Sequence, residues 1–440
     1  MTRRWPGCAL LLLSACSATA VDAVLRCEPG SARAGCPSPS LESSAEAPID
    51  VWPNALSAAN SDPWLVQHHD QLSELRPRLL VLDFHNPLPG DALLPAVQLE
   101  IDALAEGSRY HGYADPSAPA FLRYELVRIV DLTDAQVPAD WPYASSTQLP
   151  VDELGQFSPE ALFTREFAQR MGVEDPDAPG QQLDLCAIFE RGVANEVWLA
   201  VGDGMREPPL MLERKQRYDA SLAALPGEFQ PCVSASDHCL QVSCGVTVRL
   251  AHLNPRRGPG CDLQVRGWSL LESARAIPYL ADNASPFFNA DFGARFGAPF
   301  DDLYQLCTRG SEPCIAYPSP RSAEGVAGAG WRIDPYLQGC GSPDFPPNAS
   351  ARWEWNEATP VDARCEHYQL RDGPEGDQYL PYSAASLPAY DPRLIGTDPF
   401  PGDCGGAWQL YWRQNMPGLH NPALALDGTA MKNWWPFSFY

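Results

Sequence analysis

The sequence predicts an α/β fold: a mainly parallel sheet flanked by helices, followed by an irregular C-terminal segment rich in disulfides and tryptophan. Three observations predict it. Continuous apolar runs of strand length recur, as strands buried on both faces require. Stretches with apolar residues at helical spacing separate them. After about residue 335 both signals fade, while seven of the thirteen tryptophans (331, 353, 355, 408, 412, 434 and 435) lie in the last quarter, with Cys340, Cys365 and Cys404.

The elements follow in order. "PRLLVLDFHN" carries Leu79, Leu80, Val81 and Leu82 without interruption and predicts the first strand. A Pro-Gly-Asp turn follows, and then Leu94, Val97, Ile101 and Leu104 fall on one helical face with Gly107 as the stop. "FLRYELVRIVDL" predicts a second strand. Ser158-Pro159-Glu160 has the cap-then-proline order of a helix start, with Leu162, Phe163 and Phe167 as its apolar face. "DLCAIFERG" predicts a short helix, "NEVWLAVGD" and "GVTVRLAHLN" the third and fourth strands, and "GWSLLESARAI" another helix. The alternation of strands and helices defines the α/β class. The boundaries predicted are an export signal over 1–15, a disordered tether over 16–60, an α/β domain over 61–335 and an aromatic, Cys-containing segment over 336–440. That last segment either wraps the α/β core or forms a small domain of its own. The tether assignment rests on the Pro/Ser/Ala-rich "EPGSARAGCPSPSLESSAEAP", which cannot bury enough surface to fold alone.

The start of the chain predicts where it lives. Met1-Thr2-Arg3-Arg4 is a short positive start, and "CALLLLSA" is an apolar run far shorter than the ~20 residues of a membrane-spanning helix. The run ends in Leu13-Ser14-Ala15-Cys16, which resembles the bacterial lipobox. There, small side chains let the signal peptidase reach the backbone, and the cysteine sulfur accepts a lipid. Two or more acyl chains, such as palmitate, would hold the chain to a bilayer. Ser17, in place of Asp, implies by the same resemblance the outer membrane, facing the periplasm or the surface. A plain secretory signal cut after Ala18 or Ala20 is the alternative.

Cysteine usage agrees with export. Without Cys8 and Cys16, twelve cysteines remain, an even count that predicts disulfides in an oxidising compartment. Spacing predicts Cys27–Cys36 and Cys307–Cys314. Cys232, Cys239, Cys244 and Cys261 form a cluster open to two bridges or a zinc site, although no C-x-x-C occurs in the chain. The formal net charge of −24 disfavours nucleic acid as a partner.

Several islands, "PRLLVLDFHN", "ALAEGSRYHGYAD", "NEVWLAVGD", "CGSPDFPPNA" and the closing "NWWPFSF", resemble an uncharacterised family of exported proteins. The resemblance runs from about residue 62 to the C-terminus and implies no particular activity or cofactor. Two departures stand out. The family pattern has His before F-P-P-N, where Asp344 stands, and Gly-His where Trp268 follows Gly267. Any histidine chemistry at those positions is missing from this chain.

Candidate site residues come from two places. In open α/β sheets ligands gather beyond the carboxyl ends of the strands. Those ends carry Asp83, His85 and Asn86, then Asp131, Asp203, and His252 with Asn254. Asp83, His85, Asp203 and His252 are the catalytic candidates, for acid–base work or a divalent metal of unspecified kind. Polar residues at solvent-facing strand ends are the plainer explanation. The second place is the aromatic C-terminal segment. Trp353 and Trp355 would share a strand face, Trp408 and Trp412 a helix face. Trp353, Trp355, Trp434 and Trp435 are candidates for stacking on glycans; packing in the interior is the plainer role. "QHHD", residues 67–70, reads as a solvated helix start, and His111 and Asp115 in "RYHGYAD" as a turn that caps a helix. There is no G-x-S-x-G, H-E-x-x-H or P-loop. Two functions follow as expectations: an envelope lipoprotein that binds glycans or other envelope components, or a hydrolase-like enzyme at the strand ends.

Overall fold

The computed structural model describes residues 49–440 except 86–92, 134–148, 151–156, 202–210, 233–238, 299, 301–306, 308–311, 327–328, 372–375 and 397–403. Cys16, the signal, Cys27, Cys36, Asn86 and Asp203 lie outside the described residues.

Regular structure begins earlier than the tether assignment allows. Strand β1 (Val51–Trp52) pairs in parallel with β2 (Glu74–Leu75), across helix α1 (Pro63–Gln67), which Asp62 caps by accepting from Trp64 N. Trp52 is fully buried against Phe439, with ring centroids 5.2 Å apart. Val51 and Trp52 supply the apolar surface that the preceding Pro/Ser/Ala stretch lacks, so 49–60 belongs to the body. β3 (Arg78–Asp83) is buried on both sides, as its apolar run requires, and α2 (Leu93–Gly107) ends at the predicted glycine. A Cβ on Gly107 would stand 2.9 Å from Arg413 Nε, so close packing fixes this glycine. β4 (Glu125–Asp131) follows.

At Ser158-Pro159 the chain makes a 3₁₀ turn (Pro159–Phe163), and helix α3 (Arg165–Met171) starts later. Its cap is Thr164, whose hydroxyl accepts from Phe167 N, whereas Ser158 makes no side-chain cap. α4 (Leu185–Glu190), β5 (Glu196–Ala200), β6 (Met211–Arg214), the hairpin β7 (Gln216–Tyr218) and β8 (Ala224–Phe229), and β9 (Val248–Leu253) come next. α5 (Pro259–Ala276) begins eight residues before the predicted helix because Gly258-Pro259 supplies an N-cap and a first-turn proline. α6 (Pro278–Ala284) and α7 (Phe292–Phe296) lead to an antiparallel sheet of β10 (Ile315–Ser319), β11 (Ser322–Gly325) and β12 (Arg332–Ile333). β13 (Val361–Ala363), β14 (Leu380–Tyr382), α8 (Pro392–Ile395) and α9 (Gly406–Gln414) complete the chain.

The central sheet has five strands in the order β4-β3-β5-β9-β6 and is mixed. The pairs β3–β4, β3–β5 and β5–β9 are parallel, while β6 runs antiparallel to β9 at the edge. β6 had no strand signal because "MLER" is too short and too polar to show one.

Side-chain alternation gives the sheet two unlike faces. Leu80, Leu82, Val197, Leu199, Leu212 and Leu250 pack with α3 and α4 in one cluster. Leu79, Val81, Trp198, Met211 and Ala251 join the other, with α2, α5 and the aromatic residues Trp408, Trp412, Trp434, Phe437 and Phe439. The residues after 335 thus complete the sheet's own core. The boundary at 335/336 also cuts a third cluster, which contains both Ile333 and Tyr336.

Five disulfides occur among the described residues. Cys307–Cys314 is the pair its spacing predicts. The four-cysteine cluster does not act as a unit: Cys232 bonds Cys239, but Cys244 bonds Cys186 and Cys261 bonds Cys404. Cys340–Cys365 is the fifth. With all four cysteines bridged, the zinc alternative falls. Among the described residues no helix is long and apolar enough to cross a membrane.

Candidate functional site

The carboxyl edge of the sheet brings some predicted residues together and separates others. Asp83 and Asp131 are register partners on the parallel strands β3 and β4, about 4.8 Å apart along the sheet. By alternation both share the face of Val81 and Ile129. Asp83 Oδ1 accepts from His85 N (2.9 Å), and Asp131 Oδ1 accepts from the N and Oγ1 of Thr133 (3.0 and 2.6 Å). These Asx-type turns lock each carboxylate at its strand end. His85 is buried just beyond. His252 is paired with Leu199 and shares the opposite face with Val248 and Leu250. Among the described residues the expected convergence of the strand ends is therefore split: Asp83 and Asp131 lie on one side of the sheet and His252 on the other, because β9 places residue 252 out of phase with residue 83.

One residue at this edge escaped the sequence reading. Asp262, in the first turn of α5, is buried, and its Oδ1 accepts from Asn254 N (3.4 Å) at the end of β9. Burial pushes its carboxyl up to about 7, against the pull of Arg266 and Arg257. An acid just after Gly258-Pro259 was the available signal. Among the described residues, no group of three His, Cys, Asp or Glu side chains is placed to hold a metal ion.

The tryptophans are mostly interior. Trp408 and Trp412 share a face of α9 and are fully buried. Trp434 and Trp435 are buried too, so neither can offer a ring to a glycan. Residues 353–355 form turns and no strand, and Trp355 is half-buried, its Nε1 donating to Pro343 O (3.0 Å). Among the four stacking candidates Trp353 alone is open, 44% exposed, with the Arg352 guanidinium 4.3 Å above its ring and a left-handed φ of 68°. Asp344 and Trp268 meet nearby: buried Asp344 accepts from Trp268 Nε1 (3.4 Å), Gln264 Nε2 (2.7 Å) and Arg352 Nε (2.8 Å).

The "QHHD" histidines also differ from the expectation of a solvated helix start. His69 is buried, with Nδ1 against Tyr440 Oη and Nε2 donating to Asn433 O (2.8 Å). Burial and nearby Lys432 pull it down to about 4. His68 stacks on Trp64 at 4.2 Å. His111 sits in the predicted turn, its N–H donating to Gln414 O (2.8 Å), and burial lowers it to about 4 as well. Asp115 caps Ser117, as a turn residue would.

The densest chemistry was not predicted at all. On the aromatic face, Glu196 of β5, Arg249 of β9 and Glu213 of β6 form a row across three adjacent strands. Arg249 Nε lies 3.1 Å from Glu196 Oε2 and Nη1 lies 3.2 Å from Glu213 Oε1. Tyr124 Oη donates to Glu196 Oε2 (2.8 Å) and Trp198 Nε1 to Glu196 Oε1 (2.7 Å). From α5, Arg266 stacks over Trp198 (4.2 Å) and reaches Glu100 Oε1 of α2 (3.3 Å). Burial pushes the Glu100 carboxyl well above the usual range, and pulls Arg413 of α9 down to about 10. Lys215 donates to the carbonyls of Phe437 (2.6 Å) and Ser438 (2.9 Å), and its burial pulls it down to about 7. Nothing local in "NEVWLAVGD" or "GVTVRLAHLN" announces this network, since its partners lie tens to hundreds of residues apart. No protein-family model and no curated protein matches the chain.

Proposed function

We propose that the chain is a lipid-anchored protein of the bacterial cell envelope, tethered at the outer membrane through acyl groups on Cys16, and that its body is a hydrolase-like acid–base enzyme. The observation that carries the enzymatic reading is the set of carboxyl groups at one sheet edge. Asp83 and Asp131 end adjacent strands, and Asp262, held near 7 by burial, stands beside the end of β9. A carboxyl poised near neutrality can give or take a proton, while carboxylates fixed in turns can activate water. In this reading Asp262 is the acid and Asp83 the base. His252, on the other face, has no part in it. A panel of glycoside, ester and phosphoester substrates tests it on the full chain. Asp83→Asn and Asp262→Asn should each lower the turnover of the active substrate at least 100-fold. Activity that survives both substitutions, or silence across the whole panel, rejects the enzymatic reading. Intact-mass measurement of the membrane fraction tests the anchor, since diacylglyceryl and acyl groups on Cys16 add a defined mass.

A second reading rests on Trp353. An exposed indole with a guanidinium on one face leaves its other face for a sugar ring. Glycan-array binding that disappears in Trp353→Ala, with unchanged folding, would favour it over catalysis.

A further inference from the structure

Beneath the segment 435–439 the aromatic face encloses a cavity of about 20 Å3. Every residue around it is buried. Its polar walls are Arg249, Arg266, Arg413, Tyr124, Ser269 and Ser438, and among the described residues no carboxylate lines it. Arg249 is fully engaged: Nε with Glu196, Nη1 with Ser438 O (2.5 Å) and Nη2 with Ser269 Oγ (3.0 Å). The other two guanidiniums are not. Arg266 Nε and Nη2 and Arg413 Nε are buried nitrogens with no hydrogen-bond acceptor. Buried donors without acceptors are costly.

We propose that this cavity is a binding site for one monatomic anion, chloride, held by Arg266 and Arg413. The volume admits a single guest of about the size of water, which excludes phosphate, sulfate and carboxylates. Charge favours an anion over water. Three guanidiniums surround the space and share three carboxylates outside it: Glu213 and Glu196 pair with Arg249, and Arg266 lies 3.7 Å from Glu196 and 3.3 Å from Glu100. Glu100 is pushed by burial toward its neutral form and supplies little compensation. Hydrogen bonding points the same way. A water would have to place two hydrogens of its own; the Ser438 carbonyl already accepts from Arg249 and Lys215, which leaves it the hydroxyl oxygens of Tyr124, Ser269 and Ser438. An anion accepts from all sides and donates nothing.

The test uses the full chain, crystallised from sodium bromide in place of chloride. An anomalous bromide peak in the cavity, within contact distance of Arg266 and Arg413, is expected; density without anomalous signal means a trapped water and overturns the proposal. In solution, the Tm at fixed ionic strength should rise by about 2 °C per tenfold increase of chloride exchanged for gluconate. Arg413→Gln should remove that dependence. Equal Tm in chloride and gluconate for the unmodified chain also overturns the proposal, and the crystal experiment needs no variant to fold.

Discussion

The two faces of the central sheet are built from the same strands and stabilised in opposite ways. On one, Leu80, Leu82, Val197, Leu199 and Leu250 meet α3 and α4 through apolar side chains, with His252 at the strand end. On the other, β5, β9 and β6 each turn one charged residue inward, Glu196, Arg249 and Glu213, set among Trp198, Trp434 and Phe439. The aliphatic face needs only shape. The ionic face needs each member, because a buried charge that loses its partner retains the whole cost of desolvation.

This contrast can be broken or sharpened experimentally. The largest effects should come from the disulfide on each side. Cys261–Cys404 closes a separation of 143 residues and ties α5 to the lead-in of α9 on the ionic side, while Cys186–Cys244 closes 58 against the aliphatic cluster. Replacing both cysteines of a pair with serine should lower stability by up to about 5 kcal/mol for the first and about 4 kcal/mol for the second. Urea denaturation of the two variants reads the difference, and the reverse order would argue that loop closure is not what these bridges contribute.

Next come single side chains. Arg249→Met strands Glu196 and Glu213 and should cost about 3–5 kcal/mol. Leu82→Ala on the other face leaves a cavity and should cost about 3 kcal/mol. The decisive comparison is the second substitution. Glu213→Gln should be markedly less damaging in the Arg249→Met background than alone, whereas Leu82→Ala and Leu250→Ala should combine nearly additively.

The smallest effect is pH. His69 and His111, held near 4 in the fold against an ordinary 6.5, give stability that is present above 6.5 and is lost as pH falls toward 4. Asp262, raised from 3.8 to about 7, acts oppositely: its contribution is complete below 3.8 and fades as pH rises through 7. Glu100, which burial also raises well above its ordinary value, acts with Asp262, so between pH 6.5 and 4.5 two carboxyls offset the two histidines and stability should change little. His69→Gln should break that balance, so that stability rises on acidification by about 1.4 kcal/mol per pH unit in thermal unfolding measured across the window.

How much was legible follows from the distance over which each signal acts. Apolar runs announced β3, β5 and β9, and helical spacing announced α2 through Val97, Ile101 and Leu104, because these patterns are local. The same patterning hid the ionic row. Glu196 and Arg249 each interrupt an apolar strand, and alone each looks like a strand end or an error; only strand order, fixed by contacts across more than fifty residues, sets them side by side. The strand-end site was half legible. Asp83 and Asp131 were identified from position, but the phase that sends His252 to the far face depends on register, which the sequence does not display. Trp353 and Trp355 failed as a strand pair for a local reason: Trp353 takes a left-handed turn.

The row of charges also shapes the order in which the molecule can come together. Until residues 433–440 arrive, Glu196, Arg249, Glu213 and Lys215 can keep their hydration, so the incomplete chain shows water a polar surface on this side of the sheet. Only when Phe437 and Ser438 offer their carbonyls to Lys215 and Arg249 is that water expelled. Closure then joins Tyr440 to His69, some 370 positions upstream. Such a polypeptide is discouraged from collapsing before its C-terminal residues are in place.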